Sequence, residues 1–327
     1  MFVRRTRGSR AHSRLFDAPA GCQCAGVILR PATNDDAHAL LALYRAADTA
    51  EVGRPETSAA DITDLLHAPG LTLGTRSLVS VDDTGITGVV LCHPAPQPGQ
   101  LRAQLRVAPG DTATALARTL LDAVHHWTLT DRAAPNSPVT LFQLPRSPAI
   151  PALRSAGWTK IHSYTRMIAD LIDHTAPPTP ADVRVRPATS RADMATIHHV
   201  LETAIAGHWN HHRRDFQDFL TDQQQRDGHD TSLWLLAESA GNPVGAVIAR
   251  APADRAWIAW LGVLPEARGR GIATALLSSA FARLRDRGHT TAGVDVDTHN
   301  NTHAIAVYNH AGMRPIGTAD QWRASHP

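Results

Sequence analysis

Two glycines and two arginines occupy one short turn of the chain, between an apolar run and a helical pattern. Arg268-Gly269-Arg270-Gly271 follows the apolar residues 256–264 and precedes Ile272-Ala273-Thr274-Ala275-Leu276-Leu277. Glycine allows backbone conformations that are closed to other residues, and unpaired N–H groups at the start of a helix attract anions. The two arginine side chains would add positive charge. The segment therefore predicts a cradle for a pyrophosphate group.

Two other phosphate-binding motifs do not fit this turn. No Gly-x-Gly-x-x-Gly sequence is followed here by an acidic residue at the end of the next strand, which argues against the dinucleotide fingerprint. A P-loop needs Gly-Lys-Ser/Thr, and Lys160 is the single lysine of the chain. For the turn taken alone, an ordinary Gly/Arg-rich surface turn is the alternative.

A second segment strengthens the interpretation. After Val294-Asp295-Val296-Asp297, which alternates like a half-buried strand, the chain carries five spaced residues: Asn300, Ala304, Tyr308, Gly312 and Met313. Together with Arg268-x-x-Gly271-x-Ala273, this pattern resembles the GNAT superfamily of N-acetyltransferases. The resemblance covers residues 183–315 and implies acetyl-CoA as the co-substrate, with no metal.

The resemblance also implies which residues form the site. The pyrophosphate would lie on the turn and the pantetheine beside the strand before it, and an amine would attack the thioester directly. The implied cofactor-binding residues are Leu261, Val263, Arg268, Gly269, Arg270, Gly271, Ile272, Ala273 and Asn300. Tyr308 would donate a proton to the departing thiolate, since a phenol stays protonated at neutral pH. The alternative for Tyr308 is a core tyrosine, and for Asn300 a helix cap.

The sequence does not identify the general base. Many members of the family carry a glutamate on the strand before the turn, but residues 256–261 contain no carboxylate. Asp295 and Asp297 would face the same side of the next strand, because successive side chains alternate. The other candidates are three histidines in the segment that we expect to form a wall of the acceptor pocket, His208, His211 and His212. We favour a water relay to Asp297 or His208.

The histidines and tryptophans near this region allow further interpretations. His208, His211 and His212 would share a helix face, as zinc ligands can. No His-Glu-x-x-His motif is present, and we expect acceptor contacts or a polar helix face instead of a metal. Trp209, Trp257 and Trp260 could line an aromatic acceptor pocket, although aromatic residues in strands are more often core residues.

The first half of the chain repeats parts of the second. Arg30-Pro31-Ala32-Thr33 recurs as Arg186-Pro187-Ala188-Thr189, and Leu105-x-Val107-x-Pro109 recurs as Leu261-x-Val263-x-Pro265. Two copies of one fold explain these spaced matches. The first copy lacks the chemistry, because Arg268, Gly271 and Tyr308 align with Thr112, Ala115 and Leu153. We expect a catalytically silent first half; the alternative is that it binds CoA through other contacts.

These observations predict the organisation of the chain. We expect a disordered basic tail over residues 1–24, a degenerate GNAT-like domain over 25–172, a proline-rich linker over 173–182 and a catalytic domain over 183–327. The fold class is α/β (α+β), with two tandem GNAT folds, each a mixed, mostly antiparallel sheet flanked by helices. Predicted elements include a helix over 35–47, a strand over 77–82 and a strand over 232–238.

Composition limits the partners. A net charge of +2 gives no reason to expect nucleic acid, whose binders usually carry a clustered basic face. No stretch is apolar enough for a secretory signal or a membrane span. Three cysteines in 327 residues indicate a reducing compartment, so we expect a cytoplasmic protein, either a monomer or a homodimer.

The sequence indicates the class of the acceptor but not its identity. Tandem GNAT chains are similar to mycothiol-synthase-like and antibiotic-modifying acetyltransferases, but a fold does not fix a substrate. We expect a small-molecule amine, because two halves would form a closed cleft at their interface, where small ligands usually bind. The alternatives are a non-catalytic CoA-binding or regulatory protein, a protein N-acetyltransferase, and an enzyme that transfers longer acyl chains.

Overall fold

Twelve strands form one continuous sheet in this protein. The computed structural model describes residues 27–95, 99–130, 137–175, 177–207, 211–252, 255–298 and 304–324. The predicted tail over residues 1–24 and two predicted site residues, His208 and Asn300, lie outside the described residues. Within the described part of the chain, no helix combines the length and apolarity needed to span a membrane.

The two halves of the chain contain the same elements in the same order. The first half comprises β1 (Ile28–Arg30), α1 (Ala37–Val52), α2 (Ala59–Leu66), β2 (Ser77–Asp82), β3 (Gly85–Pro94), β4 (Leu101–Val107), α3 (Ala113–Thr130), β5 (Val139–Gln143), α4 (Ala149–Ser155) and β6 (Thr159–Asp170). The second half comprises β7 (Val183–Pro187), α5 (Arg191–Ala204), α6 (Phe216–Gln224), β8 (Trp234–Ser239), β9 (Asn242–Arg250), β10 (Ala256–Val263), α7 (Ile272–Asp286), β11 (Thr291–Asp297), α8 (Ala304–His310) and β12 (Arg314–Arg323).

The last strand of each half lies in the other half of the sheet. The strand order is β1-β2-β3-β4-β5-β12-β6-β11-β10-β9-β8-β7. Strand β12 therefore pairs with β5, and β6 pairs with β11, while β6 and β12 pair with each other at the centre. Only the pairs β4–β5 and β10–β11 are parallel. The predicted mixed, mostly antiparallel α/β fold is confirmed.

An ion pair near the start of each half illustrates why the same elements form twice. Arg30 donates to Asp36 at 2.6 Å, and Arg186 donates to Asp193 at 2.8 Å. Each aspartate also accepts from the backbone N–H of a threonine, Thr33 or Thr189, just before the first helix of its half. These charge-assisted hydrogen bonds hold the pKa of both aspartates below the ordinary value and join the first strand to the helix.

The exchanged strands also join the two hydrophobic cores. Three side chains at the end of β6 are fully buried among the side chains of β8–β11 and α7. They are Met167 and Ala169 of β6 and Leu171, the residue after it. In return, Trp322 of β12 packs with α3 and β4 of the first half. Each core therefore depends on side chains from the other half of the sequence, and the sheet does not follow the predicted division at residues 173–182.

Several element bounds differ from the sequence-based expectations for local reasons. The predicted strand over 77–82 is confirmed, but the helix expected over 35–47 opens with a 3-10 turn and continues to Val52. The strand expected over 232–238 begins at Trp234, because Asp230 accepts from the backbone of Ser232 and holds a 3-10 turn there. Within the predicted linker, the His174 ring packs on Phe281 with ring centroids 5.0 Å apart.

Substitution of Met167 tests whether β6 packs into the core of the second half. Met167→Ala should lower the free energy of unfolding by about 2–5 kcal/mol, because it leaves a cavity in the core of the second half. Urea unfolding measures the change. The control is Leu129→Ala in α3, where the side chain is 53% exposed and the expected change is within about 0.5 kcal/mol. Equal losses in the two variants would contradict the placement of β6.

Candidate active site

A cleft opens where two parallel strands separate. β10 and β11 pair only at Ala256↔Ala292 and Trp257↔Gly293. Gly293 leaves room for the Trp257 ring there, because a Cβ atom at this position would overlap with the ring. On its other edge, β10 shifts register with β9 between Ile258 and Trp260, which is a β-bulge. Beyond these points, the edge of β10 that faces β11 has no strand partner.

The space between the separated strands is a cavity of about 900 Å³. β10 and β11 form two walls, and the ends of α5, α7 and α8 close the others. The structure brings most of the predicted site residues together around it: Leu261, Val263, Arg268, Gly269, Gly271, Ile272, Ala273, Asp297 and Tyr308 line the cavity. Asp295, His211, His212 and Trp260 line it as well.

The predicted cradle lies at one end of this cavity. Pro265–Ala267 form a 3-10 turn, and α7 starts directly after Gly271. Gly269 and Gly271 have φ angles of 75° and 77°, which lie in the left-handed region that only glycine adopts at little cost. The N–H groups of the first turn of α7 therefore open toward the cavity. Backbone dipoles aligned in this way favour an anion.

The two arginine side chains of the turn are engaged elsewhere. Arg268 donates from Nε to the carbonyl of Val263 at 3.2 Å and from Nη2 to the carbonyl of Ala204 at 2.9 Å. Arg268 therefore braces the turn against β10 and the end of α5. The Arg270 guanidinium pairs with Asp182 and donates to Ser239, away from the cavity lining. Arg268 lines the cavity while it makes these bonds, whereas Arg270 does not line it; a role of either side chain in binding the co-substrate stays a prediction.

Tyr308 is held in α8 at the edge of the cavity. Its side chain is 8% exposed and packs with the core of the second half. Burial raises the pKa of the Tyr308 phenol well above its ordinary value, because the charged phenolate would lose its hydration. The hydroxyl group therefore stays protonated over the whole neutral and mildly alkaline range. This is the state that proton donation requires.

The two aspartates of β11 both line the cavity, as their alternation predicts, but they have different partners. Asp295 receives two hydrogen bonds from Arg166 of β6, at 2.9 and 3.2 Å. Asp297 is hydrogen-bonded to Nε2 of His162, which also belongs to β6 and is buried. The Asp295 carboxylate is thus bound by a guanidinium group, whereas the partner of the Asp297 carboxylate is an imidazole ring.

A third carboxylate at the cavity, Glu202 of α5, was not predicted from the sequence. Its side chain is 8% exposed and lines the cavity near the Trp260–Gly262 stretch of β10. His211 Nε2 lies 3.2 Å from one carboxylate oxygen, and His198 Nε2 lies 3.8 Å from the other. The amphipathic pattern of α5 predicts that Glu202 lies in a helix, but it does not predict that the side chain reaches the cavity. That placement depends on how α5 crosses β10.

The aromatic residues divide between cavity and packing. Trp260 lines the cavity, and the Arg214 guanidinium lies 5.4 Å from its ring centroid. Trp257 packs over Gly293, and the guanidinium carbon of Arg166 lies 5.3 Å from the Trp257 ring centroid. Trp209 lies outside the described residues. Within the described ranges, no group of three or more histidine, cysteine, aspartate or glutamate residues is arranged to hold a metal ion.

The corresponding position in the first half is filled. β4 and β5 also pair in parallel at only two positions, but Gln143 of β5 donates to the carbonyl of Leu105 at 2.9 Å and bridges the gap. Leu153, which aligns with Tyr308, is fully buried. Arg106 forms a 2.9 Å ion pair with Glu51 at the position that aligns with Gly262. Side chains thus occupy the space that is open in the second half.

Comparison with known proteins agrees with this geometry. The sequence model of the Acetyltransferase (GNAT) family matches residues 195–313, which include β10, the cradle, α7 and Tyr308. The second half carries a GNAT acetyltransferase domain. Members of this family are acyltransferases that use acetyl-CoA as co-substrate, and the resemblance seen in the sequence is confirmed.

Solved structures extend the similarity to the whole chain. A GCN5-related N-acetyltransferase from Sphaerobacter thermophilus is 26% identical, with a TM-score of 0.79, over 91% of this chain and 95% of that one. A tandem GNAT protein from the clavulanic acid biosynthesis pathway is 17% identical, with a TM-score of 0.69, over 92% of this chain and 99% of that one. The second likeness shows the fold alone.

Replacement of the two arginines separates their roles. Arg268→Ala removes two hydrogen bonds that brace the turn, so the Kd of acetyl-CoA should rise by about tenfold. Arg270→Ala removes an exposed ion pair, and the expected rise is about twofold or less. Isothermal calorimetry measures both. A larger loss in Arg270→Ala than in Arg268→Ala would mean that the Arg270 side chain binds the phosphates.

Proposed function

We propose that this protein transfers an acetyl group from acetyl-CoA to the amine of a small molecule, in the second of two tandem GNAT folds. The observation that carries the proposal is the open cleft between β10 and β11, which joins the backbone cradle to Tyr308 and Asp297. The filled counterpart in the first half supports a silent role for that half. A cytoplasmic location and a monomeric or homodimeric state stay predictions from the sequence.

The residues present fit acetyl-CoA. The cradle at residues 268–273 would bind the pyrophosphate, because its glycines allow close approach and α7 starts there. Leu261 and Val263 lie on the edge of β10 without a partner strand, so their backbone groups can hydrogen-bond the pantetheine amides. Asn300 is proposed to complete this contact. Acetyl-CoA supplies the activated acyl group as a thioester.

The reaction then needs several proton movements. Asp297 accepts one proton of the acceptor ammonium, directly or through one water molecule, and the neutral amine attacks the thioester carbonyl carbon. The C–N bond forms, the C–S bond breaks, and Tyr308 donates its proton to the sulfur atom. The nitrogen then releases its second proton to solvent, and the Tyr308 phenolate takes a proton back from solvent. His162, hydrogen-bonded to Asp297, orients the carboxylate. His208 was the other base predicted from the sequence, and it lies outside the described residues.

The size of the cavity supports a small-molecule acceptor. Its volume, which acetyl-CoA would share, lies within the usual range for small-ligand sites, about 300–1,000 Å³. Tyr164 of β6 lines the cavity together with residues of the second half, so both halves of the chain contribute to it.

One observation favours a second candidate, a CoA-binding protein without turnover. β10 lacks the carboxylate that many family members carry before the cradle. In this protein Asp297 and Glu202 place carboxylates on the cavity from neighbouring elements instead. The two functions differ in one measurement: the second predicts acetyl-CoA binding with no thiol release in the presence of any amine.

The first experiment is a thiol-release assay with a broad panel of small amines, on the wild type and Tyr308→Phe. The variant should lose about a hundredfold in kcat, because the thiolate loses its proton donor. The raised pKa of Tyr308 keeps the phenol protonated past pH ~10. The ratio of wild-type to variant kcat should therefore stay constant from neutral pH to about pH 9.5.

Tyr44→Phe is the matched control. Tyr44 lies in the first half under the Arg106 guanidinium, which is 5.4 Å from its ring centroid. The Tyr44→Phe variant should have a kcat within about twofold of the wild-type value. A Tyr308→Phe enzyme as active as this control would remove Tyr308 from the mechanism.

Asp297→Asn tests the proton acceptor. The variant should lose about a hundredfold in kcat/KM at neutral pH, where the acceptor amine is protonated. The loss should shrink as the pH approaches the amine's own pKa, because the amine then arrives already neutral. Asp295→Asn should cost less, since Arg166 binds that carboxylate. An equal loss at every pH would argue against Asp297 as the base.

A further inference from the structure

Glu202 is a cavity-lining carboxylate to which the proposed transfer reaction assigns no role. It lies on α5, and its side chain is 8% exposed. His211 Nε2 lies 3.2 Å from Oε2 but without the geometry of a hydrogen bond. His198, 3.8 Å from Oε1, donates instead to the carbonyl of Arg214, and burial lowers its pKa, so this ring adds no positive charge at neutral pH. A buried acceptor without a donor is costly.

One of the two carboxylate oxygens of Glu202 stays open to a ligand. Oε2 is wholly enclosed by protein, whereas Oε1 is not enclosed and accepts no hydrogen bond from the described residues. The side chain lines the cavity between β10 and β11. Oε1 is therefore the atom that a ligand in the cavity can contact.

The Glu202 carboxylate also has no cationic partner in the part of the chain that the structure describes. Four described carboxylates line the cavity, and two of them, Asp222 and Asp295, form ion pairs with arginines. The Arg268 guanidinium reaches the end of α5, but it donates to the carbonyl of Ala204. Negative charge is thus unmatched at Glu202, which favours a positively charged ligand.

Glu202 and the proposed base, Asp297, lie on the same face of the sheet. Val294 and Val296 of β11 pack with α7 on one face, so the alternating side chain of Asp297 projects from the other. α5 covers that other face, where Leu201 packs with side chains of β8 and β9. The helix that carries Glu202 therefore lies on the side of the sheet to which Asp297 points.

The two carboxylates also lie at a similar level along the strands. Asp297 and Leu261 are each four residues beyond the last parallel pair of β11 and β10. α5 crosses β10 at the next residue, Gly262, so closely that a Cβ atom there would overlap with Ala204. Glu202 is on the same turn of α5. Glu202 and Asp297 therefore stand on the two walls of one gap, and a molecule in the gap can contact both.

We propose that the acceptor carries a second positive charge, which the Glu202 carboxylate binds while the reacting amine lies at Asp297. The acceptor class is then a diamine. One nitrogen loses two protons and receives the acetyl group, and the other stays an ammonium group that donates a charge-assisted hydrogen bond to Oε1 of Glu202. This inference rests on the proposed acetyl transfer to a small amine, and it names the feature by which the site selects that amine.

The test compares amines that differ only in the second charge. The diamines from 1,3-diaminopropane to 1,6-diaminohexane are each paired with the amino alcohol of the same length in the thiol-release assay at neutral pH, on the wild type, Glu202→Gln and Glu202→Asp. The wild type should prefer at least one diamine by about tenfold or more in kcat/KM, beyond the factor of about two that its two equivalent amines give. Glu202→Gln should abolish that preference, and Glu202→Asp, which keeps the charge, should retain part of it.

Glu266→Gln is the matched control, because Glu266 is exposed on the turn before the cradle. It should leave the ratio of diamine to amino alcohol unchanged. A wild-type preference of no more than about twofold for every diamine would overturn the proposal, and so would a larger preference that survives in Glu202→Gln. An equal loss for diamines and amino alcohols in Glu202→Gln would also overturn it, since Glu202 would then act on the reaction or on the fold.

A binding measurement separates this inference from the proposed function. If no amine releases thiol, acetyl transfer to small amines is refuted. Isothermal calorimetry then measures how each diamine and each amino alcohol binds to the wild type with bound CoA. A diamine that binds about tenfold more tightly than its amino alcohol, with the difference lost in Glu202→Gln, would still support the site for a second cation. No such difference in any pair would refute that site as well.

Discussion

The separation of β10 from β11 after two paired residues is the constraint on which the site depends. A parallel pair that continued would satisfy the backbone of β10 and leave no room between the strands. Here the bulge at 258–260 turns β10, and Gly293 admits the Trp257 ring at the last paired position. The unpaired edge, the cradle beyond it and the cavity between the strands all follow from this separation. In the first half, one glutamine side chain spans the same gap.

The exchange of β6 and β12 brings residues of the first half to the cavity of the second. β6 is encoded in the first half, yet it runs beside β11 and places His162, Tyr164 and Arg166 next to that strand. Two of these side chains contact the aspartates of β11 directly. The first half has no open cleft between β4 and β5 among the described residues, but it contributes Tyr164 to the lining of the cavity in the second half.

Local patterns in the sequence predicted the cradle, the alternating aspartates and Tyr308, because each depends on residues close in the chain. Glycines at 269 and 271 could be identified from the turn they require. The roles of Arg268 and Arg270 could not, because their partners, Ala204 and Asp182, are distant in sequence. His162, Tyr164 and Glu202 were missed for the same reason. They reach the site only through strand exchange and helix crossing, which leave no periodic signal.

The exchanged strands also order the events of folding during synthesis. When β6 leaves the ribosome, both of its neighbours, β11 and β12, are still unmade. A strand with two unpaired edges can pair with strands of other chains, so the nascent first half is prone to aggregation until β11 and β12 have been made. β12 follows every other strand of the sheet in the sequence, and it pairs with β5 on one edge and with β6 on the other. The sheet therefore cannot close until the residues of β12 have been translated.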